Sequence, residues 1–388
     1  MKKAIFLVLA VLLVGAVSGY SQAKKNYKAT GITVGNVRWD MGDIAFNGDQ
    51  YGSELEIKDF TARTGIKVKM LTFGSNNPME QIKAAETFMG RGIDGMLLSS
   101  IQSPAVTPII EQCNKRDIPV VTHDSQVPGG KQVCVVPDAV EAGAIVGQAM
   151  LDLLVKQRGE AFLKNTGGHI IEIRCILTLG VDIARYTGWR SVFEPFLAKY
   201  PKVTWSVHVA ECNATKARKV ADAAIARYRD NLLGFWCLEG TTAVGGVVPA
   251  LKEAGRFYPK SDSRHVVITT IDGTEEEAAA HRAGDLDFTI DNGKLTQGRL
   301  AMRTLLKWIM EGWDSLPGPG ESLYPEDRSI RQPFKVFDGR DVDPAFDGHL
   351  YSFRNLLMPV DEDGFGKNIW GNEYFYLTKG YWPWEKKK

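Results

Sequence analysis

The sequence predicts an α/β fold made of two doubly wound parallel-sheet units of similar size, and three observations carry that prediction. Short apolar or β-branched runs alternate with helix-period segments from Thr30 to Ile271, which requires a parallel sheet covered by helices on both faces. The alternation starts afresh at Val133, giving two units rather than one long sheet. With 388 residues, the chain holds two domains at roughly 150 residues each.

The elements follow in order. Lys2 and Lys3 precede a charge-free run from Ala4 to Val17, and Ser21-Gln22-Ala23 offers small residues for cleavage. Residues 1–23 are therefore expected to be a secretory signal peptide, too short and wrongly flanked for a membrane span. No cysteine follows the run, so no lipid anchor is expected. Thr30 to Val37 reads as the first strand, with Arg38-Trp39-Asp40 at its carboxyl end. Asp43 to Arg63 reads as a helix closed by Gly65. Ile66 to Leu71 is the second strand, and Asn76-Asn77-Pro78 caps the next helix with proline at its first position. Ile93 to Ser100 is the third strand, Ser103-Pro104 opens the third helix, and Pro119 begins the fourth strand, which ends in His123-Asp124.

The second unit repeats the pattern. Strands are expected at Val133 to Val136, Gly168 to Ile176, Val203 to Ala210, Leu233 to Leu238 and Val266 to Ile271. Helices are expected at Asp138 to Leu154, Ala184 to Tyr200, Ala214 to Arg229 and Thr241 to Ala254. A last amphipathic helix spans Leu295 to Trp313. Beyond Pro317-Gly318-Pro319-Gly320 the periodicity breaks, and from Asp338 the chain reads as an aromatic-rich tail wrapped on the surface.

Composition excludes several classes. The chain is 44% hydrophobic and 24% charged, an ordinary globular mixture. Loss of Lys2 and Lys3 with residues 1–23, which hold no acid, takes the formal net charge from +1 to −1, so nothing points to nucleic acid. There is no P-loop, no Gly-x-Ser-x-Gly elbow and no Gly-x-Gly-x-x-Gly fingerprint. The histidines never fall at metal-ligand spacing, so neither a metal nor another cofactor is expected. Cys113, Cys134, Cys175, Cys212 and Cys237 show no C-x-x-C spacing, and buried free thiols are expected over a disulfide framework.

The candidate site residues share one placement, at strand carboxyl ends or the starts of the following helices. They are Arg38, Trp39, Asp40, Ser100, Asp124, Arg185, Glu239, Asp272 and Asn292. In open α/β sheets that edge is where ligands bind, although each residue alone has a plain role as a turn former or cap. Carboxylates, amides and a guanidinium for hydroxyl groups, with an indole for a ring face, suit a polyhydroxylated ligand. None is a nucleophile paired with a base, so no catalytic residue is assigned. The rival is a carbohydrate hydrolase working with Asp124 and either Asp272 or Glu239.

From about Gly31 to Trp313 the chain resembles the type I periplasmic binding proteins of the ribose/galactose group, the solute receptors of sugar ABC transporters. The resemblance is carried by Asn76-Asn77-Pro78, Arg91-Gly92-Ile93-Asp94-Gly95, Ile118 to Asp124, Ala184-Arg185, Glu239 to Gly246 and Asp272-Gly273-Thr274. It implies that Asp124 and Asp272 bind sugar hydroxyls, that Arg185 is the binding arginine, and that Glu239 and Asn292 stand at binding amide positions. The chain departs from the ribose pattern at Ser125, at Arg38 to Asp43, and near Cys212, where an aromatic is missing.

The resemblance also implies two lobes joined by three hinge crossings, near Pro137, Asn292 and Pro325. The first lobe would comprise residues 24–137 and 293–325, the second 138–292 and 326–340, with 341–388 an extension. The expected protein is a monomeric periplasmic receptor that traps a monosaccharide or related polyol and delivers it to a membrane permease. A sensor kinase or chemoreceptor is the alternative partner.

Overall fold

The computed structural model describes residues 25–321, 334–338, 347–353, 370–383 and 385. Residues 1–23 and the crossing expected near Pro325 lie outside them. The first sheet contains β1 (Ile32–Arg38), β2 (Val68–Gly74), β3 (Gly95–Leu98), β4 (Val120–His123) and β5 (Lys131–Pro137). Between them run α1 (Ile44–Thr64), α2 (Pro78–Gly90) and α3 (Thr107–Lys115). The chain leaves this sheet at Pro137 for α4 (Ala139–Arg158) and the short α5 (Glu160–Asn165).

The second sheet holds β6 (Gly168–Arg174), β7 (Val203–Val209), β8 (Leu232–Cys237) and β9 (Val267–Thr269), interleaved with α6 (Gly180–Lys199) and α7 (Ala214–Tyr228). A compound helix α8 begins at Gly240–Thr242, passes through a π turn at Ala243–Val247 and ends as Val248–Glu253. After α9 (Glu275–Arg282), residues near Asn292 lead back to α10 (Lys294–Glu311), which packs against the first sheet and α1. Strand β10 (Phe334–Asp338), strand β11 (Asp347–Phe353) and helix α11 (Trp370–Lys379) follow.

The strand order is β10-β11-β5-β4-β3-β1-β2 in one sheet and β7-β6-β8-β9 in the other. Every pairing is parallel except β10 with β11. Local chemistry sets the helix ends as expected. Asp43 accepts from the N–H groups of Ala45 and Phe46, Asn77 caps α2 ahead of Pro78, and Gly65 closes α1 at φ 73. These caps satisfy donors that a helix end otherwise leaves orphaned.

Two expectations about the C-terminal region are corrected. Residues 334–338 fall in the second lobe by the sequence reading, yet β10 joins the first sheet through β11, which runs beside β5 with Leu350 opposite Cys134. Without β11 the apolar strand β5 would be an open edge, a liability that folded chains cover. The region after Asp338 is also more than a surface wrap: Tyr351 and Trp370 are buried, and Tyr351 donates to the carbonyl of Pro317 at 2.9 Å.

Candidate functional site

The carboxyl ends of β1, β4, β6, β8 and β9 meet across the cleft between the sheets and enclose a cavity of about 70 Å³. At about 10–15 Å³ per water position, that is room for about five waters, comparable to one small sugar. Trp39, Phe46 and Ile101 of the first lobe belong to one apolar cluster with Cys175, Leu179 and Val181 of the second. The cleft is therefore closed in this structure.

The polar side of the cavity is built on two buried ion pairs. Arg185 donates to Asp272 at 2.8 Å and to the carbonyl of Leu238 at 2.8 Å, and Asn292 adds a bond to the same Asp272 oxygen at 3.2 Å. Lys294, the first residue of α10, pairs with Asp124 from 170 positions away in the chain. Both aspartates occupy backbone conformations that side-chain-bearing residues rarely adopt, Asp124 at φ 67 and Asp272 at φ 148. Such strain costs about 1–3 kcal/mol per residue and gathers where side chains must be aimed.

The other wall is apolar and aromatic. Trp39 stacks on Phe46 with centroids 5.7 Å apart, and the Lys294 ammonium lies 4.7 Å over the Phe46 ring. Opposite them, Cys175 and Cys212 form a disulfide that joins the loops after β6 and β7 and lines the cavity. This corrects the expectation of free thiols for two of the five cysteines; Cys113, Cys134 and Cys237 are free and buried. The 37-residue separation of the bonded pair offers no motif to read. Pairing becomes visible only once β6 and β7 lie side by side.

The charges divide sharply. Burial alone would raise the Asp124 carboxyl, but the charge and hydrogen bond of Lys294, helped by Arg185, hold it below the ordinary carboxylate range. Glu239 goes the other way: burial and the neighbouring Asp272 push it up to about 7, although it accepts from the N–H groups of Thr241 and Thr242 at 2.7 and 3.0 Å. Asp43 is likewise raised, by burial and then by Asp272. At neutral pH the cavity offers an ionised acceptor at Asp124, the Arg185 guanidinium seated on Asp272, and a Glu239 carboxyl poised between acceptor and donor.

Of the nine residues singled out from sequence, Trp39, Asp124, Arg185, Glu239 and Asp272 line the cavity. Four do not. Arg38 is buried beneath it, donating to Gln50, Asn47 and the carbonyl of Asp40, so it holds the loop after β1 in shape. Asp40 stands in an adjoining crevice, where it accepts from Asn76 and from the N–H of Gly42. Ser100 is fully buried away from the cavity. Asn292 acts through Asp272, as described. Conversely, Asp43, Phe46, Thr241 and Lys294 line the cavity and were not singled out.

The periplasmic binding protein domain family matches residues 46–311. The ribose import binding protein of Escherichia coli K12 is 27% identical over 291 residues, covering 75% of this chain and 86% of that protein. The fructose import binding protein of Bifidobacterium longum is 26% identical over 307 residues, covering 75% and 84%. Among solved structures, a galactofuranose binding protein superposes with a TM-score of 0.63 at 17% identity, over 87% of this chain and 99% of that one. A solute binding protein from Actinobacillus succinogenes with bound D-allose gives 0.62 at 17%, over 74% and 93%.

Proposed function

This chain belongs to the periplasmic binding protein domain family, and from that premise we propose that it is an exported receptor that closes on one small sugar or related polyol and delivers it to an ABC transporter. One observation carries the reading: the interlobe cavity combines two oriented carboxylates and a guanidinium with a stacked Trp39–Phe46 wall. Hydroxyl groups satisfy the polar side, and the C–H face of a ring fits the aromatic side. Periplasmic binding proteins as a class capture their ligands by hinge closure of the two lobes, and the same motion is the mechanism for this chain. The relatives named above are import binding proteins for ribose and for fructose, which supports the same class of cargo.

The hydrolase reading is the weaker one. Asp124 and Asp272 are each engaged by a buried cation, and Glu239 caps a helix. Such groups orient hydroxyls; a glycosidase needs an acid and a nucleophile or base free to exchange protons across a bond.

A thermal-shift screen over pentoses, hexoses, furanose-locked sugars and polyols tests the proposal. A ligand at about 100 times its Kd adds roughly 2.7 kcal/mol, a shift of a few degrees for a chain of this size. A flat response across the whole panel at millimolar concentration would overturn the sugar assignment.

A further inference from the structure

Asp272 has one more partner, supplied by the part of the chain outside the family match. Helix α11 inserts Trp370, 2% exposed, between the lobes. Its indole Nε1 donates to the carbonyl oxygen of Asp272 at 2.5 Å, and its backbone N–H donates to Asp291 at 3.1 Å. Asp291 in turn accepts from Gly293 at 2.6 Å, the residue just before Lys294. Trp370 therefore holds the loop of one cavity carboxylate directly, and the helix start that presents the partner of the other through a single residue.

The same side chain is seated on the opposite lobe. Its ring lies on Gly48 of α1, where there is no room for a Cβ, and clusters with Ala45 and Leu295. Tyr374, one turn along α11, meets Tyr51 of α1 edge to face at 5.7 Å. On the other side, Gly371 packs against the backbone of Gly273 to Glu275, again with no room for a Cβ. One face of a short helix thus grips α1 in the first lobe and the 272–275 loop in the second. Separating the lobes must strip one of these faces.

We infer that Trp370 is a positioning residue of the ligand site: through α11 it fastens the Asp272 loop to α1 and so sets how long the cleft stays closed on its cargo. The inference rests on the receptor reading above. An unfastened Asp272 keeps its backbone bonds to Ile290 and Asn292 but loses the indole donor on its carbonyl, and an unfastened cleft opens more often. Both effects act on ligand release more than on ligand capture, because the encounter occurs with the open form.

The test uses the full chain and four variants: Trp370→Phe, which keeps a ring but loses the Nε1 donor; Trp370→Ala; Gly48→Ala, which unseats the ring from the opposite lobe; and Tyr376→Ala on the exposed face of α11 as control. Dissociation and association rates are measured with D-ribose, D-allose, D-galactose and L-arabinose as probes, alongside melting temperature and small-angle scattering of the ligand-free protein. Trp370→Ala and Gly48→Ala are expected to release the probe about tenfold faster with association nearly unchanged, Trp370→Phe to fall between, and Tyr376→Ala to match the parent.

Ligand-free Trp370→Ala and Gly48→Ala should also scatter as more extended particles. Unchanged release and unchanged scattering in folded Gly48→Ala and Trp370→Phe would overturn the inference, even if Trp370→Ala did not fold. A lowered melting temperature with intact release and unchanged scattering would likewise reduce α11 to a structural appendage. If none of the four probes binds the parent protein, a ligand from the thermal-shift panel replaces them, a flat panel sinks the sugar reading, and the scattering arm still decides whether α11 fastens the lobes.

Discussion

The two lobes differ in how they hold buried glutamate. In the first, the buried carboxylates Asp49, Glu56 and Asp124 are each held by a basic side chain: His123 at 2.5 Å, Arg303 at 2.5 Å with Arg63 at 3.1 Å, and Lys294. In the second, Asp182 and Asp272 are paired with Arg174 and Arg185, and Asp287 with His265 and Lys260, but Glu172, Glu239 and Glu277 have no ion-pair partner among the described residues. Burial pushes these three up to about 7, 7 and 8 respectively. They are held by neutral donors instead: the Trp189 indole for Glu172, backbone N–H groups for Glu239, and Thr289 with the Thr274 N–H for Glu277. Both lobes thus pair their buried aspartates, but only the second also keeps carboxyl protons in its interior close to neutral pH, on its glutamates.

The largest test of that contrast breaks one ion pair on each side of the cavity. Arg185→Met leaves Asp272 buried without its cation, and Lys294→Met does the same to Asp124. Removing one partner of a buried pair costs about 3–5 kcal/mol. The Asp272 carboxylate retains Asn292 after its loss, while Lys294 is the only cation paired with Asp124 among the described residues. Lys294→Met is therefore expected to be the more damaging in chemical denaturation, and both should weaken ligand binding. A larger loss from Arg185→Met would mean that the second lobe depends on its charges as much as the first.

A smaller effect follows from pH. Where the folded pKa lies above the unfolded value, the native state binds more protons, so stability is full below the unfolded pKa and declines as pH rises through the folded one. For Glu239 that window runs from about 4.5 to about 7, an order-of-magnitude contribution of about 3 kcal/mol at most. Asp124, whose pKa is lowered, acts in the opposite sense and weakens the fold only as acid protonates it. Because burial holds His169 and His281 down to about 4, which favours the fold as pH rises, the test is a difference: between pH 5 and 8 the melting temperature of Glu239→Gln should rise relative to that of the parent. A difference between Glu239→Gln and parent that stays constant over the interval would refute the raised Glu239 carboxyl.

The same contrast explains what could be read from sequence. Apolar alternation and Asn, Asp and Gly punctuation placed most strands and helices, because those signals are local; α6 merely starts at Gly180, ahead of the expected Ala184. Asp124 and Asp272 were legible because each stands just past an apolar strand. Lys294 was not, since its role exists only when residues 170 apart meet. Asp43 read as the start of α1, which it is; that its capped turn also faces the cavity depends on the second lobe closing over it. Strands β10 and β11 escaped notice for a different reason: their sequences mix apolar residues with Lys, Asp, Gly, His and Ser, so no apolar run marks them.

The smallest expected effect sharpens the comparison at the residue where sequence and structure part most clearly. Ser100 stands at the carboxyl end of the third strand, as a ligand-binding residue would, yet it is fully buried, its hydroxyl has no hydrogen-bond partner, and it does not line the cavity. An unpaired buried hydroxyl is a cost, not a contribution, so Ser100→Ala exchanges an unsatisfied polar atom for a methyl of nearly the same size. The variant is expected to keep its affinity within about twofold, which is under ~0.5 kcal/mol, and to melt at the parent temperature or slightly above. Had Ser100 been a ligand contact in the first lobe, its loss would instead leave a sugar hydroxyl unpaired in a closed cavity, at about 1–3 kcal/mol. Titration calorimetry on this one variant separates the two, and a drop in affinity beyond tenfold would mean that the cavity extends toward β3 when a ligand is bound.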